Sequence, residues 1–149
     1  MYLPYDPEYS QKFLYLLEMT NKNARKYIHA HFKRMNIDIT YDQWQVLKEV
    51  ALNENKINQK VLAFSLTKDD ASVMRILEIL TQNDYVIKEK QEDDRRFSTL
   101  RLTEKGRAFY EQHHDAINKI HDRIFWGFTE GEIKIVESVL KKTHKNFAY

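Results

Sequence analysis

A row of polar side chains at positions 68–75 has the chemistry needed to contact a nucleic-acid duplex. If the apolar residues of this segment face inward on a helix, four residues lie on its opposite face: Lys68, Ala71, Ser72 and Arg75. A serine hydroxyl can donate to a base edge or a phosphate, and the Arg75 guanidinium can pair in a fork with O6 and N7 of guanine. A solvated helix face, with Arg75 paired to Glu78, is the competing interpretation. Residue types and spacing leave both open.

A second candidate lies in the charged segment 91–96, between two strand-like segments. Adjacent arginines at a hairpin tip, Arg95 and Arg96, fit a narrow minor groove, where negative potential is concentrated. Asp94 can orient one of them through a bidentate pair. We expect Arg95 to enter the groove and Arg96 to face a phosphate or Asp94, although the two could be exchanged. An ordinary solvated turn would carry the same residues.

A third candidate is the start of the short helix that precedes Lys68. Asn58 is a good N-cap, so the N–H groups of the first turn, together with Gln59 or Lys60, could hold a phosphate. A plain N-cap without any ligand is the simpler alternative.

Catalytic and metal chemistry find little support in the sequence. The chain has no cysteine, and its three glycines are scattered, so thiol chemistry and a glycine-rich phosphate loop are excluded. The histidine-rich segment 111–121 does not supply three converging ligands on one helix. We therefore expect no metal, no cofactor and no enzymatic activity.

The periodicity of apolar residues predicts a mainly α-helical chain. Long helices are expected over 7–35 and 41–53, and strands over 85–90 and 97–102. Asn58 begins a short helix, and an imperfect capping box of Thr67 with Asp70 is expected to begin the next. Two further helices follow, capped at Thr103 and at Thr129. The order predicts a winged helix-turn-helix with a small two- or three-stranded antiparallel wing.

Charge and hydropathy give weaker indications. The 24 basic and 22 acidic residues nearly cancel, so bulk charge does not favour a nucleic-acid partner. No apolar run approaches the length of a membrane span, and the first residues lack the basic and apolar segments of a secretion signal. We expect no membrane association and a cytoplasmic location.

Residues 57–106 resemble the MarR family, the multiple-antibiotic-resistance regulators. Four segments carry the resemblance: 57–63 at the start of the helix-turn-helix, 72–75 in its second helix, Asp-Arg-Arg at 94–96, and Leu-Thr-Glu-Lys-Gly at 102–106. The Asp-Arg-Arg and Thr-x-x-Gly motifs are separated as they are in that family. Outside this region the resemblance rests on the pattern of helices.

The resemblance implies a homodimeric, ligand-responsive transcription regulator, most simply a repressor, that binds a pseudo-palindromic operator in double-stranded DNA. Residues 1–149 would form one subunit, with a DNA-binding lobe at 41–105 and dimerisation helices at 7–36 and 106–147. It also suggests a pocket for a small aromatic or phenolic anion as effector, with three possible wall residues: Tyr15, His31 and Trp44.

Three departures from the family pattern keep other functions open. Asp84 stands where the family usually has glycine before the first wing strand, and Met74 where a small hydroxyl residue often precedes the recognition arginine. The acidic pair Asp69-Asp70 suits the helix dipole but would face phosphates. This pair and the nearly balanced charge favour a winged-helix module for protein–protein interaction as one alternative. A non-specific architectural DNA binder is the other.

Overall fold

The computed structural model describes residues 7–54, 56–90 and 98–147. Within them lie six helices and two strands. In chain order these are α1 (Pro7–Arg34), α2 (Tyr41–Leu52), α3 (Gln59–Ser65), α4 (Asp70–Gln82), β1 (Val86–Lys90), β2 (Ser98–Leu102), α5 (Glu104–Ile124) and α6 (Glu130–Phe147). The order confirms the predicted fold class, a mainly helical winged helix-turn-helix with a small wing.

Side chains in the sequence determine where the helices begin. The Thr40 hydroxyl accepts from the Gln43 N–H, and the Gln43 amide oxygen accepts from the Thr40 N–H, which completes the predicted capping box of α2. The Asn58 side chain accepts from the Val61 N–H at the start of α3. The predicted capping residues of α2 and α3 are thus confirmed.

The predicted start of α4 is wrong by two residues. Asp69, and not Thr67, is the N-cap, and its carboxylate accepts from the Ser72 N–H at 2.8 Å. Thr67 instead ends α3: its N–H donates to Phe64 O, and the next N–H, of Lys68, donates to Ala63 O. This pair of bonds is a Schellman motif, which places Thr67 in the left-handed region at a φ of 52°.

The ends of α1 and α4 follow the same pattern with Asn36 and Asp84, at φ values of 52° and 58°. Glycine usually occupies this position, and Asn and Asp tolerate it better than other residues. Asp84 is the residue that replaces the family's glycine, so the turn into β1 keeps its left-handed geometry. A β-branched threonine tolerates it least, which makes Thr67 the most strained of the three.

The first compact unit, Met1–His114, has its core between α2, α4 and the wing. The largest fully buried side chains of α2 and α4 are Trp44, Leu47, Leu77 and Leu80. The ring of Trp44 stacks on that of Tyr110 at 5.5 Å between centroids. A continuous apolar face on each helix, as the periodicity predicted, is therefore what holds the helix-turn-helix in place.

The wing is an antiparallel pair in which Lys88 lies opposite Leu100. Leu100 and Leu102 are buried, whereas Thr99 and Arg101 are half-exposed, so the predicted alternation of β2 is confirmed. The Leu100 N–H points away from β1 and donates to Ile57 O at 3.0 Å. This bond joins the segment before α3 to the sheet, although the described residues form only two strands.

The second compact unit, Asp115–Tyr149, contains the end of α5 and all described residues of α6. Ile117 and Ile120 are buried. The Thr129 hydroxyl and N–H both bond to Glu132, which confirms the predicted cap of α6. In contrast, α6 has no buried residue along its length, although it carries an apolar face.

Candidate nucleic-acid interface

The outward face of α4 carries the residues predicted to contact a duplex. Val73 and Leu77 are fully buried on the inner side. On the other side Ala71 and Arg75 are exposed, and Ser72 is half-exposed. Within the described residues the Arg75 guanidinium makes no ion pair or hydrogen bond, so the alternative pairing with Glu78 is not formed there.

The cap of α4 determines which hydrogen bond Ser72 can still make. The Ser72 hydroxyl donates to the second carboxylate oxygen of Asp69 at 2.7 Å. This bond, together with the one from the Ser72 N–H, lowers the pKa of Asp69 and keeps it ionised. Because the hydroxyl proton is engaged, Ser72 can accept from a base amino group more readily than it can donate to a phosphate.

The start of α3 presents the other predicted contacts beside α4. Lys60 is exposed, and Gln59 is half-exposed. The Gln59 amide lies between Lys88 Nζ at 3.4 Å and Asp70 O at 3.5 Å, both long for hydrogen bonds. These weak contacts leave Gln59 free to exchange partners, and they place the first turns of α3 and α4 next to β1.

Lys68 was predicted to lie on the outward face of α4, but its side chain forms an ion pair with another residue of the protein. Its Nζ lies 2.8 Å from Asp42 Oδ1, and its side chain is 19 % exposed. The Arg25 guanidinium makes two 3.1 Å bonds to the same carboxylate. The Arg25 hydrogen bonds lower the pKa of Asp42 against the opposing effect of burial, and Lys68 lowers it further. No sequence signal indicated this cluster, because its members lie 17 and 26 residues apart.

The charged residues of the wing lie on its two strands and at the tip between them. On the strands, the Arg101 guanidinium is paired with the Glu89 carboxylate at 2.6 Å. The three residues predicted at the tip, Asp94, Arg95 and Arg96, lie outside the described residues. Their contact with a minor groove stays a prediction.

Comparison with known proteins identifies the architecture. Residues 39–106 match a family model described as a winged helix DNA-binding domain. The HTH-type transcriptional regulator SarZ of Staphylococcus aureus (strain USA300) is 27 % identical over 143 residues, which cover 94 % of this chain and 92 % of SarZ. A mutant MarR from E. coli, solved in complex with operator DNA, is 25 % identical with a TM-score of 0.73, covering 86 % of this chain and 90 % of that one. Residues 39–106 thus form a winged helix DNA-binding domain, and most of the chain is similar to regulators of the MarR type.

A further MarR-like structure supports the fold alone. MepR of S. aureus, solved as a DNA complex, superposes with a TM-score of 0.81 over 91 % of this chain and 98 % of that one, at 18 % identity. The whole winged helix-turn-helix and its flanking helices are therefore matched, not only residues 39–106.

The MarR-type Thr-x-x-Gly motif joins the wing to α5. The Thr103 hydroxyl donates to Asp84 O at 2.6 Å and accepts from the Gly106 N–H at 2.9 Å. Lys105 Nζ donates to Asn83 O and lies over the Tyr85 ring. The motif thereby holds the turn between α4 and β1, which gives the wing a defined direction relative to α4.

Glu54, which the sequence did not single out, holds the same end of the wing through Leu102, the last residue of β2. One of its carboxylate oxygens accepts from the Leu102 N–H at 3.1 Å, and both accept from the Arg107 guanidinium at 2.8 and 2.7 Å. Burial raises the pKa of Glu54, but the bonds from Arg107 and the backbone outweigh it, and the net pKa is lowered. Both strands of this MarR-type wing are thus anchored to helices.

The three residues predicted as walls of an effector pocket do not line the cavity found beside the end of α1. Trp44 is 1 % exposed, in the core, whereas Tyr15 is 64 % exposed on α1. His31 bonds to Tyr27 O within its own helix. A cavity of about 260 Å³ beside the end of α1 is lined by other residues: His29, Phe32, Lys33, Ile37, Asp38, Ile39 and Thr40.

Within residues 7–54, 56–90 and 98–147, no three His, Asp or Glu side chains are grouped so that they could hold a metal ion. No helix in this part of the chain has the length and hydropathy of a membrane span.

Proposed function

We propose that this protein is a sequence-specific DNA-binding transcription regulator, and specifically a repressor, that binds a pseudo-palindromic operator as a homodimer. The observation that carries the proposal is the outward face of α4. It presents an Arg75 without a partner in the described residues, while the inner face is fully buried. The fold shared with E. coli MarR, solved with operator DNA, supports the same interpretation.

In this proposal two α4 helices enter successive major grooves about 34–36 Å apart. Arg75, Ser72 and Ala71 face the bases, and Gln59 and Lys60 face the phosphates. The wing brings Arg95 and Arg96 to the flanking minor groove, with Asp94 orienting one of them. Residues 41–105 form the DNA-binding lobe, and the match of the winged-helix model to residues 39–106 supports that boundary.

The experiment that tests this function is selection of a preferred duplex from a random pool, followed by binding titrations against salt. We expect one palindromic sequence to be enriched. The affinity should fall steeply, by roughly a thousandfold between about 50 and 200 mM salt for a dimer with six or more phosphate contacts. Binding to DNA without sequence preference would favour a non-specific architectural DNA binder. If no duplex bound, the acidic pair Asp69-Asp70 would favour the alternative of a module for protein–protein interaction.

Homodimerisation is supported by the apolar side chains that the isolated subunit leaves in water. Leu14, Leu16 and Leu17 of α1 are 40–52 % exposed, and Val136 and Leu140 of α6 are 48 % and 39 % exposed. Such clustered exposure is typical of an interface. A second copy of the chain is the occupant we propose, because closed two-fold dimers match palindromic sites. Helices within 7–36 and 106–147 would then form the interface.

Replacing both Val136 and Leu140 by glutamate should separate the subunits, because two carboxylates would be buried at the interface. Light scattering after size exclusion should give 18.0 kDa for this variant and twice that for the wild type. Ser138→Glu adds a carboxylate to the opposite side of α6 and should stay dimeric. A double variant that kept the dimer mass would remove α6 from the proposed interface.

A further inference from the structure

The carboxylate of Asp42 joins three elements of the first compact unit. It lies in the first turn of α2, where the helix dipole favours a negative charge. Arg25 reaches it from α1 through two hydrogen bonds of 3.1 Å, and Lys68 reaches it from the turn between α3 and α4 at 2.8 Å. The cluster is only partly exposed, with side-chain exposures of 33 % for Asp42 and 19 % for Lys68.

The position of Lys68 makes this cluster relevant to DNA recognition. It directly precedes Asp69, the N-cap of α4, and directly follows Thr67, whose left-handed backbone is strained. A strained turn persists only where its surroundings hold it. The backbone of the turn is held by the Lys68 N–H, which donates to Ala63 O, and its side chain is held by Asp42.

We propose that Asp42 is a positioning residue for DNA recognition, which fixes the N-terminal end of α4 relative to α1 through Lys68 and Arg25. The inference rests on the proposed function and goes beyond it, because it assigns Lys68 to holding α4 and not to a phosphate. The Lys68 ammonium is already paired with Asp42, so a phosphate would have to compete with that carboxylate to bind it.

A double-mutant cycle tests this assignment with Asp42→Asn, Lys68→Met and the double variant. Each is titrated with the duplex that the wild type selects and with a scrambled duplex of the same composition. Each single variant should lower the ratio of the two affinities by about tenfold, similar to the cost of one mismatched base pair. The double variant should lose no more than a single one, because both substitutions break one contact.

Salt dependence separates positioning from phosphate contact. Asp42→Asn frees the Lys68 charge, so the scrambled duplex should bind more tightly and the salt slope should steepen by about 0.9 for each subunit of the dimer. If Lys68 contacted a phosphate in the wild type, Lys68→Met would weaken both duplexes equally and flatten the slope. That result would overturn the assignment.

The control is Glu49→Gln, which removes the same charge from α2 two turns further on and should leave the ratio unchanged. Circular dichroism at the assay temperature confirms that every variant is folded. A lowered melting temperature of Asp42→Asn with an unchanged ratio would make Asp42 merely structural and would contradict the inference. If the wild type selects no duplex, the proposed function fails and this inference fails with it.

Discussion

Arg75→Ala should lower the affinity for the preferred duplex by about 5- to 150-fold for each half-site, the equivalent of about 1–3 kcal/mol for each bidentate contact to guanine. The loss should be confined to one base position in each half-site. Arg75 is exposed and has no partner within the described residues, so its removal costs the folded protein little. Titration of the wild-type site and its single-base variants measures the effect.

Lys60→Ala is the matched comparison for Arg75→Ala, since both remove one exposed cation from the same proposed interface. A phosphate contact carries no sequence information, so Lys60→Ala should weaken all duplexes alike and reduce the salt slope by about one for each subunit of the dimer. If Arg75→Ala also weakened all duplexes alike, Arg75 would contact a phosphate, and the proposal that it contacts a base would be wrong.

Local signals in the sequence predicted the order and type of the helices and strands, but not the residue that begins α4. The caps at Thr40, Asn58 and Thr129 depend on bonds between residues at most three apart, so spacing alone indicated them. The start of α4 was misplaced because Thr67 and Asp69 are both good capping residues. The Schellman motif at the end of α3 decided between them, since it uses Thr67 as the terminating residue.

Long-range polar contacts could not be predicted in this way. Asp42 and Lys68 are 26 residues apart, and Glu54 and Arg107 are 53 apart. Their pairing depends on how the helices pack, which periodicity does not specify. For the same reason Lys68 was predicted to be part of an open polar face, although packing places it against α2. The role of Arg75 could be proposed from the sequence because it requires only that one face of α4 be buried.

Gly106→Ala should destabilise the protein, although alanine is normally the better helix residue. A Cβ at this position would lie 2.0 Å from the carbonyl oxygen of Tyr85 and 2.9 Å from its carbonyl carbon. Backbone atoms cannot move away as a flexible side chain can, so the junction between α5 and β1 must open. We expect a loss of about 2–3 kcal/mol, the upper range for overpacking, and a fall of roughly 6–10 °C in Tm.

Gly131→Ala provides the same substitution without the clash. Gly131 also lies in the first turn of a helix, α6, and its nearest neighbour would be the Thr129 hydroxyl at 4.0 Å. Alanine there should stabilise the protein by up to about 1 kcal/mol, because it reduces the entropy of the unfolded chain. We therefore expect Gly106→Ala to lower Tm and Gly131→Ala to raise it, although both glycines lie in the first turn of a helix. If the two variants changed Tm equally, the Tyr85 carbonyl would have moved away from the new Cβ at little cost. The Thr-x-x-Gly motif would then not hold the wing against α5.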